Sequence, residues 1–207
     1  MKPHASLKTF LLGLWLLGVC GMTYTLLNYQ SSPCDPGSPP KEWPSETPWK
    51  LNREHGTLLL FIHPGCPCTD ASVELLAREG PLIKMARIDT RVVVFKPPHL
   101  RDQWAYTDLW DAAARLPGVK FTIDSGGTIC QKFGVRTSGH VLLYSPGGVL
   151  IFTGGVTLGR GHAVGNSNSQ LLHRQLLSPE REAYAPVYGC GLFEEKACKE
   201  DFCAIRR

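Results

Sequence analysis

Apolar positions fall along the chain in two kinds of block. One is long: from Thr9 to Leu27 nineteen residues run without a charge, TFLLGLWLLGVCGMTYTLL. At 1.5 Å rise per residue, a helix of that length spans roughly 28 Å, close to the hydrocarbon depth of a bilayer. The others are short. Thr57 to Ile62 (TLLLFI) and Arg91 to Phe95 (RVVVF) have the pattern of strands buried on both faces of a sheet. Pro64-Gly65 ends the first and Pro97-Pro98 the second. Between them the spacing of Val73, Leu76 and Ala77 predicts a helix from about Thr69 to Glu79, with Thr69 as N-cap, Asp70 in the first turn and Gly80-Pro81 as the stop. A second helix is expected from Thr107 to Leu116, and a third strand from Val119 to Asp124. After the Ser125-Gly126-Gly127 turn a short helix follows over Thr128 to Phe133. Val141 to Tyr144 and Val149 to Thr153 flank Ser145-Pro146-Gly147-Gly148 and read as a hairpin, and Asn168 to Leu177 as a last helix before Pro179. The order βαβαβ, short helix, ββα predicts the α/β class, with a mixed sheet and helices on both faces.

Charge placement orients the N-terminal stretch. Lys2 and Lys8 precede it, and the next charges, Asp35 and Lys41, come well after, so the positive-inside bias leaves the N-terminus in the cytoplasm and the rest of the chain outside. A cleaved signal peptide shares the basic start and apolar stretch. No small-x-small cleavage site follows, and Val19 stands before Cys20 where a lipoprotein signal needs a small residue. An uncleaved single-pass anchor is therefore expected, in the inner or plasma membrane with the folded part on the periplasmic side. Residues 31–48 hold six prolines in eighteen positions, too many for a helix or central strand, and predict an extended tether. The expected division is 1–8 cytoplasmic, 9–28 anchor, 29–50 tether, 51–178 folded domain and 179–207 a cysteine-containing tail.

Composition removes other classes. A formal charge of +4 over 207 residues, with no basic run longer than two, lacks the footprint of a nucleic-acid binder. At 43% apolar residues, the chain is too hydrophobic for intrinsic disorder. Eight cysteines are too few for a small disulfide scaffold, yet outside the cytoplasm disulfides persist.

Candidate chemistry concentrates in His63-Pro64-Gly65-Cys66-Pro67-Cys68, where a buried strand gives way to a helix. Free amides and the helix dipole at such a junction favour a thiolate, the reactive form of cysteine. Cysteines separated by one residue can bond in the turn before a helix, but the ring is cramped. Strain makes such a bond easily reduced, so the pair is expected to exchange and not to staple. Pro67 removes an amide and stiffens the bridge.

With this motif the chain resembles thioredoxin-like proteins, and more closely the membrane-tethered redoxins of the extracytoplasmic space. The resemblance covers about residues 51–178. It rests on the strand running into the cysteine pair, on Asp124-Ser125-Gly126-Gly127, on Phe133-Gly134-Val135 and on the hairpin. His-Pro-x-Cys-Pro-Cys together with Thr137-Ser138-Gly139-His140 is similar to the RedB-type branch. The resemblance implies a thiol-disulfide oxidoreductase acting on extracytoplasmic protein thiols or disulfides, in which Cys66 attacks a partner and Cys68 resolves the mixed disulfide. The family's cis-proline would be replaced by Gly139, with Ser138 and His140 beside it, facing the cysteines. No cofactor is implied. Cys-x-Cys in place of Cys-x-x-Cys is a departure from the common pattern.

Alternatives remain open. His63, His140 and His162 are candidates to tune thiolates or shuttle protons. Cys66, Cys68, His140 and His162 also form a donor set suited to copper(I) or zinc, which would make the chain a metallochaperone or assembly factor. A structural disulfide and a thiol peroxidase are further readings of the pair. The tail cysteines Cys190, Cys198 and Cys203 lack zinc spacing and are expected in structural disulfides, with Cys34 and Cys130 unassigned. The loop Gly159-Arg160-Gly161-His162 is no phosphate loop, since no Gly-Lys-Ser/Thr follows; Arg160 is a candidate to support a thiolate. Trp104, Tyr106 and Trp110 are expected to pack.

Overall fold

The computed structural model describes residues 4–179 and 182–193 and separates the chain into two compact units, 1–32 and 33–207. The first is helix α1 (His4–Ser31). Its stretch Leu7–Ser31 has a mean hydropathy of 1.8, with none of it buried, and is long and apolar enough to cross a membrane; a signal sequence has the same properties.

The second unit is built on a six-stranded sheet. Strands β1 (Thr57–Ile62), β2 (Asp89–Lys96), β3 (Lys120–Ser125), β4 (His140–Tyr144), β5 (Leu150–Gly154) and β6 (Ala183–Ala185) lie in the order β3-β2-β1-β4-β5-β6. β1, β2 and β3 run parallel, and β4 is antiparallel to both β1 and β5. The sheet carries helices α2 (Pro67–Arg78), α3 (Gly80–Met85), α4 (Asp108–Ala113), α5 (Thr128–Lys132) and α6 (Ser167–Leu177). This is the βαβ unit followed by an antiparallel ββα unit of a thioredoxin-like fold. β6, too short to show a pattern of its own, escapes the sequence reading.

Continuous apolar strands have a simple cause here: both faces are covered. Leu58, Leu60, Ile62, Val92 and Val94 face a core closed by Val73 and Leu76 of α2, Leu109 of α4 and Leu172 of α6. The alternate residues Leu59, Phe61, Val93 and Phe95 face a second core with Ile129, Cys130 and Phe133. On that second face α5 has only five residues, and the proline-rich segment completes the cover. Trp43 packs edge-on against Phe133 at 5.2 Å and Tyr144 at 5.3 Å, contacts worth about 0.5–1.5 kcal/mol each beyond simple burial. Cys34, Gly37 and Glu42 bridge to Val187, Val135 and Val149. The segment read as a tether is thus extended but lies along the folded unit, and its prolines suit a strand-like arm that donates few hydrogen bonds.

Two helix boundaries differ most from expectation: the end of α4, at Ala113 instead of Leu116, and the start of α2. Pro67 and not Thr69 begins α2, because proline fits the first helical turn, where its missing N–H has no partner to lose. Gly80-Pro81 follows the end of α2 at Arg78, as expected, and for the same reason Pro81 fits the first turn of a further helix, α3, which the sequence pattern does not show.

Candidate thiol site

Cys66 is the N-cap residue of α2, with extended backbone, and its own amide donates to the His63 carbonyl at 3.0 Å. Cys68 lies in the helix's first turn. The third member of the site comes from the other end of the chain: Cys190. Residues 190–192 pair with residues 136–138, Ser138 N–H donating to the Cys190 carbonyl at 2.8 Å, Leu192 N–H to the Arg136 carbonyl at 2.8 Å, and Thr137 bridging Gly191. That pairing brings the Cys190 thiol into hydrogen bonds with both Cys66 and Cys68.

The electrostatics single out one thiolate. Hydrogen bonds from the Cys190 thiol and then the Cys68 thiol hold the Cys66 pKa far below the ordinary thiol value; burial opposes them, and the Thr69 hydroxyl and Cys190 amide assist. Cys68 also receives a lowering hydrogen bond from Cys190. The hydrogen bond it gives Cys66, its burial and the Cys66 charge outweigh this and raise its pKa, against a pull from the Arg160 guanidinium. Cys190 is raised strongly, first by its bond to Cys66, then by that to Cys68 and by burial. One negative charge is therefore held on Cys66 by two protonated neighbours. Cys66 is only 2% exposed, and the groups bonded to its sulfur are polar: two thiols, a hydroxyl and an amide.

Ser138 ties the three segments together. Its hydroxyl accepts from the His63 amide at 2.7 Å and shares a hydrogen with the Thr69 hydroxyl at 2.7 Å, while its amide holds Cys190. Gly139 has a φ of +85° and donates its amide to the Phe61 carbonyl at 2.8 Å. Proline can supply neither that φ nor that donor, which explains the glycine at this position. No peptide bond is cis among the described residues. Pro67 sits at the first position of α2, between the two cysteines.

The histidines separate. His63 is buried beside the site, its Nδ1 accepting from the Gly65 amide at 3.2 Å and its ring edge-on to Trp104 at 5.2 Å. Burial lowers its pKa, with the Cys66 charge pulling the other way. His140 is fully buried, and Thr153 Oγ1 lies 2.9 Å from its Nε2; burial pushes its pKa down to about 4, opposed by a hydrogen bond that its ring donates to the Pro36 carbonyl. Strand alternation puts His140 on the face of Leu142 and Tyr144, opposite the face that α2 covers. His162 is exposed on the glycine-rich loop. The four residues of the copper or zinc alternative are thus not brought together, and among the described residues no group of three His, Cys, Asp or Glu is arranged to hold a metal.

The remaining cysteines fall in different settings. Cys34 donates to the Gly189 carbonyl at 3.1 Å, and Arg160, which also donates to that carbonyl, places Nη2 2.7 Å from the Cys34 sulfur. Cys130 is buried in the second core, with its pKa raised by burial and by Asp124. All six cysteines among the described residues are free thiols, so Cys190 stands as a thiol in the site and not in a structural disulfide. Cys198 and Cys203 lie outside the described residues. The sequence signal for Cys190 is Gly189-Cys190-Gly191, a cysteine between residues without side chains, which is what a close backbone approach requires. A shallow cavity of about 230 Å³, lined by His55, Ile88, Leu143 and Gln175, opens at the opposite end of β1 and takes no part in the site.

No protein-family profile matches the sequence. No curated protein matches it either. Solved structures do match its shape. A hypothetical protein from Sinorhizobium meliloti 1021 shares 14% identity at a TM-score of 0.56, covering 79% of this chain and 97% of that one. An uncharacterized conserved protein from Geobacillus kaustophilus shares 11% at 0.54, covering 78% and 92%. A secreted Mycobacterium tuberculosis disulfide oxidoreductase homologous to E. coli DsbE shares 17% at 0.42, covering 60% and 81%. At these identities the first two show likeness of fold alone, in keeping with the strand order of the sheet.

Proposed function

We propose that this chain is a thiol-disulfide oxidoreductase of the extracytoplasmic membrane face, anchored by α1, that acts on protein thiols or disulfides through Cys66 and Cys68. The observation that carries the reading is the placement of Cys66 at the N-cap of α2, with Cys68 in the following turn and Cys190 held against both, a setting that favours the Cys66 thiolate. The resemblance to the RedB-type branch supports the same assignment.

In the reducing direction, the Cys66 thiolate attacks one sulfur of a partner disulfide. The partner's S–S bond breaks, its other sulfur leaves as a thiolate and takes a proton, and Cys66 is joined to the partner. The negative charge on Cys66 that raised the Cys68 pKa has then gone, so Cys68 gives up its proton more readily. Cys68 attacks Cys66 Sγ, the Cys66–Cys68 bond forms, and the partner's second sulfur departs as a thiolate. The partner gains two electrons and the chain loses them. Because Cys66 is covered, a partner reaches it only after a local opening of the site.

The test is disulfide reduction by the full chain in detergent. Cys66→Ser is expected to abolish turnover, and Cys68→Ser combined with Cys190→Ser to accumulate a partner mixed disulfide on Cys66, detected as a reducible adduct by mass spectrometry. Full turnover by Cys66→Ser would overturn the reading.

A further inference from the structure

The C-terminal segment is held too specifically for a passing tail. Gly189 has no room for a side chain, since a Cβ there would run into the Ser138 carbonyl. Its own carbonyl accepts from Arg160 and from Cys34. Val187 bridges Cys34, Gly191 bridges Thr137, and Leu192 is buried in the second core. Fixed on both sides, the segment delivers Cys190 to the two cysteines at the head of α2.

We propose that Cys190 is a third redox thiol of this site, exchanging a disulfide with the Cys66–Cys68 pair and carrying it to the 190–192 segment. The inference rests on the reading of Cys66 and Cys68 as redox-active. In the step, the Cys190 sulfur, its proton released, attacks Cys66 Sγ in the Cys66–Cys68 disulfide. The Cys66–Cys190 bond forms, the Cys66–Cys68 bond breaks, and Cys68 leaves as a thiolate that takes up the proton. One disulfide is exchanged for another, so no oxidant or reductant is consumed.

Two features favour the exchange. A ring closed over Cys66-Pro67-Cys68 is cramped, whereas Cys66–Cys190 joins residues distant in sequence without a short loop to strain. Burial also differs: Cys66 is covered, while Cys68 and Cys190 are each partly exposed. Moving the bond to Cys190 leaves Cys68, half-open to solvent, as the free thiol.

The full chain in detergent is equilibrated in glutathione buffers of graded potential, quenched in acid, blocked at its free thiols, digested with trypsin and weighed. Cys66 and Cys68 lie in the peptide 54–78 and Cys190 in 182–196. The expected product is a link between these two peptides in the wild-type chain. It should be lost in Cys66→Ser and in Cys190→Ser, and should become the dominant oxidised form in Cys68→Ser. Cys190→Ser should still close Cys66–Cys68, which shows that the variant folds. Closure of Cys66–Cys68 with 182–196 unlinked in the wild type, together with 182–196 left unlinked to 54–78 in Cys68→Ser, overturns the inference and leaves the oxidoreductase reading standing. So does a bond from Cys190 to Cys198 or Cys203 at every potential. Failure of Cys66 to enter any bond overturns both.

Discussion

Cys66 and Cys130 are matched in many respects. Both are buried, both lie at the beginning of a helix that follows a parallel strand, and both have backbone amides nearby. Their pKa values nevertheless move in opposite directions. Burial raises a thiol in either place and is the leading cause at Cys130, so it cannot account for the opposite direction at Cys66; the neighbours do. Around Cys66 the polar groups are donors: two thiols, the Thr69 hydroxyl and an amide. At Cys130 the neighbouring group is the Asp124 carboxylate, which repels a second negative charge. That carboxylate is there for another purpose. It accepts from the Ile129 amide at 3.0 Å, the Cys130 amide at 2.8 Å and the Thr128 hydroxyl at 3.2 Å, capping the first turn of α5. A helix start alone therefore does not make a reactive cysteine. What stands beside the sulfur does: donors at Cys66, a carboxylate at Cys130.

The comparison breaks most completely in a thiolate count. The reduced chain should show one thiolate by ultraviolet absorbance at neutral pH, lost wholly in Cys66→Ser and retained in Cys130→Ser. Persistence of the signal without Cys66 would show that the charge resides elsewhere. The linkage has a definite sign. The Cys66 pKa is lowered on folding, so its contribution is present above the unfolded thiol value, close to 9.0, and fades as pH falls toward the folded value. Cys130 and Cys190 are raised, so theirs is complete below 9.0 and is lost as pH rises through their folded values. Stability of the reduced chain should climb from acid toward neutral pH and decline in strong alkali, and replacing Cys66 should flatten the acid limb and reduce the part of the alkaline decline that Cys190 contributes, leaving that of Cys130.

A smaller effect is expected at the other pole of the comparison. Asp124→Ala removes the acceptor of two amides and a hydroxyl, and should cost about 2–3 kcal/mol in chemical denaturation. Since burial remains the leading cause of the raised Cys130 pKa, this thiol should stay unreactive to alkylation in the folded variant. A newly reactive Cys130 would mean that the carboxylate, and not the core, keeps it inert.

The two poles were unequally legible in the sequence. Asp124-Ser125-Gly126-Gly127 and the apolar runs disclose β1, β2, β3 and the turn into α5, because each signal is local. His63 to Cys68 likewise announces itself at a strand end. Cys190 does not. Its partners are set by backbone pairing between residues 136–138 and 190–192, and backbone pairing leaves no side-chain periodicity to read. The proline-rich arm was hidden for a related reason: its composition forbids helix, but says nothing of Trp43 filling a face that a five-residue α5 leaves open. His140 carried the opposite error. Its position beside Ser138 and Gly139 suggested the site, while the two-residue period of β4 turns it toward Leu142, Tyr144 and Thr153.

The finest resolution of the comparison lies in the order of the donors around Cys66. If the thiolate is held mainly by sulfur neighbours, its acid edge should move upward most in Cys190→Ala, less in Cys68→Ala and least in Thr69→Val, the order in which these groups lower its pKa. Thr69→Val isolates the weakest of the three. It keeps the shape of the side chain, removes the hydroxyl shared with Ser138 at 2.7 Å and should cost about 1 kcal/mol of stability. The Ser138 hydroxyl still accepts from the His63 amide, so the loop that holds Cys190 stays in place. A thiolate titration that moved more in Thr69→Val than in Cys190→Ala would assign Cys66 to its own helix, and would make the C-terminal segment a cover over the site instead of a member of it.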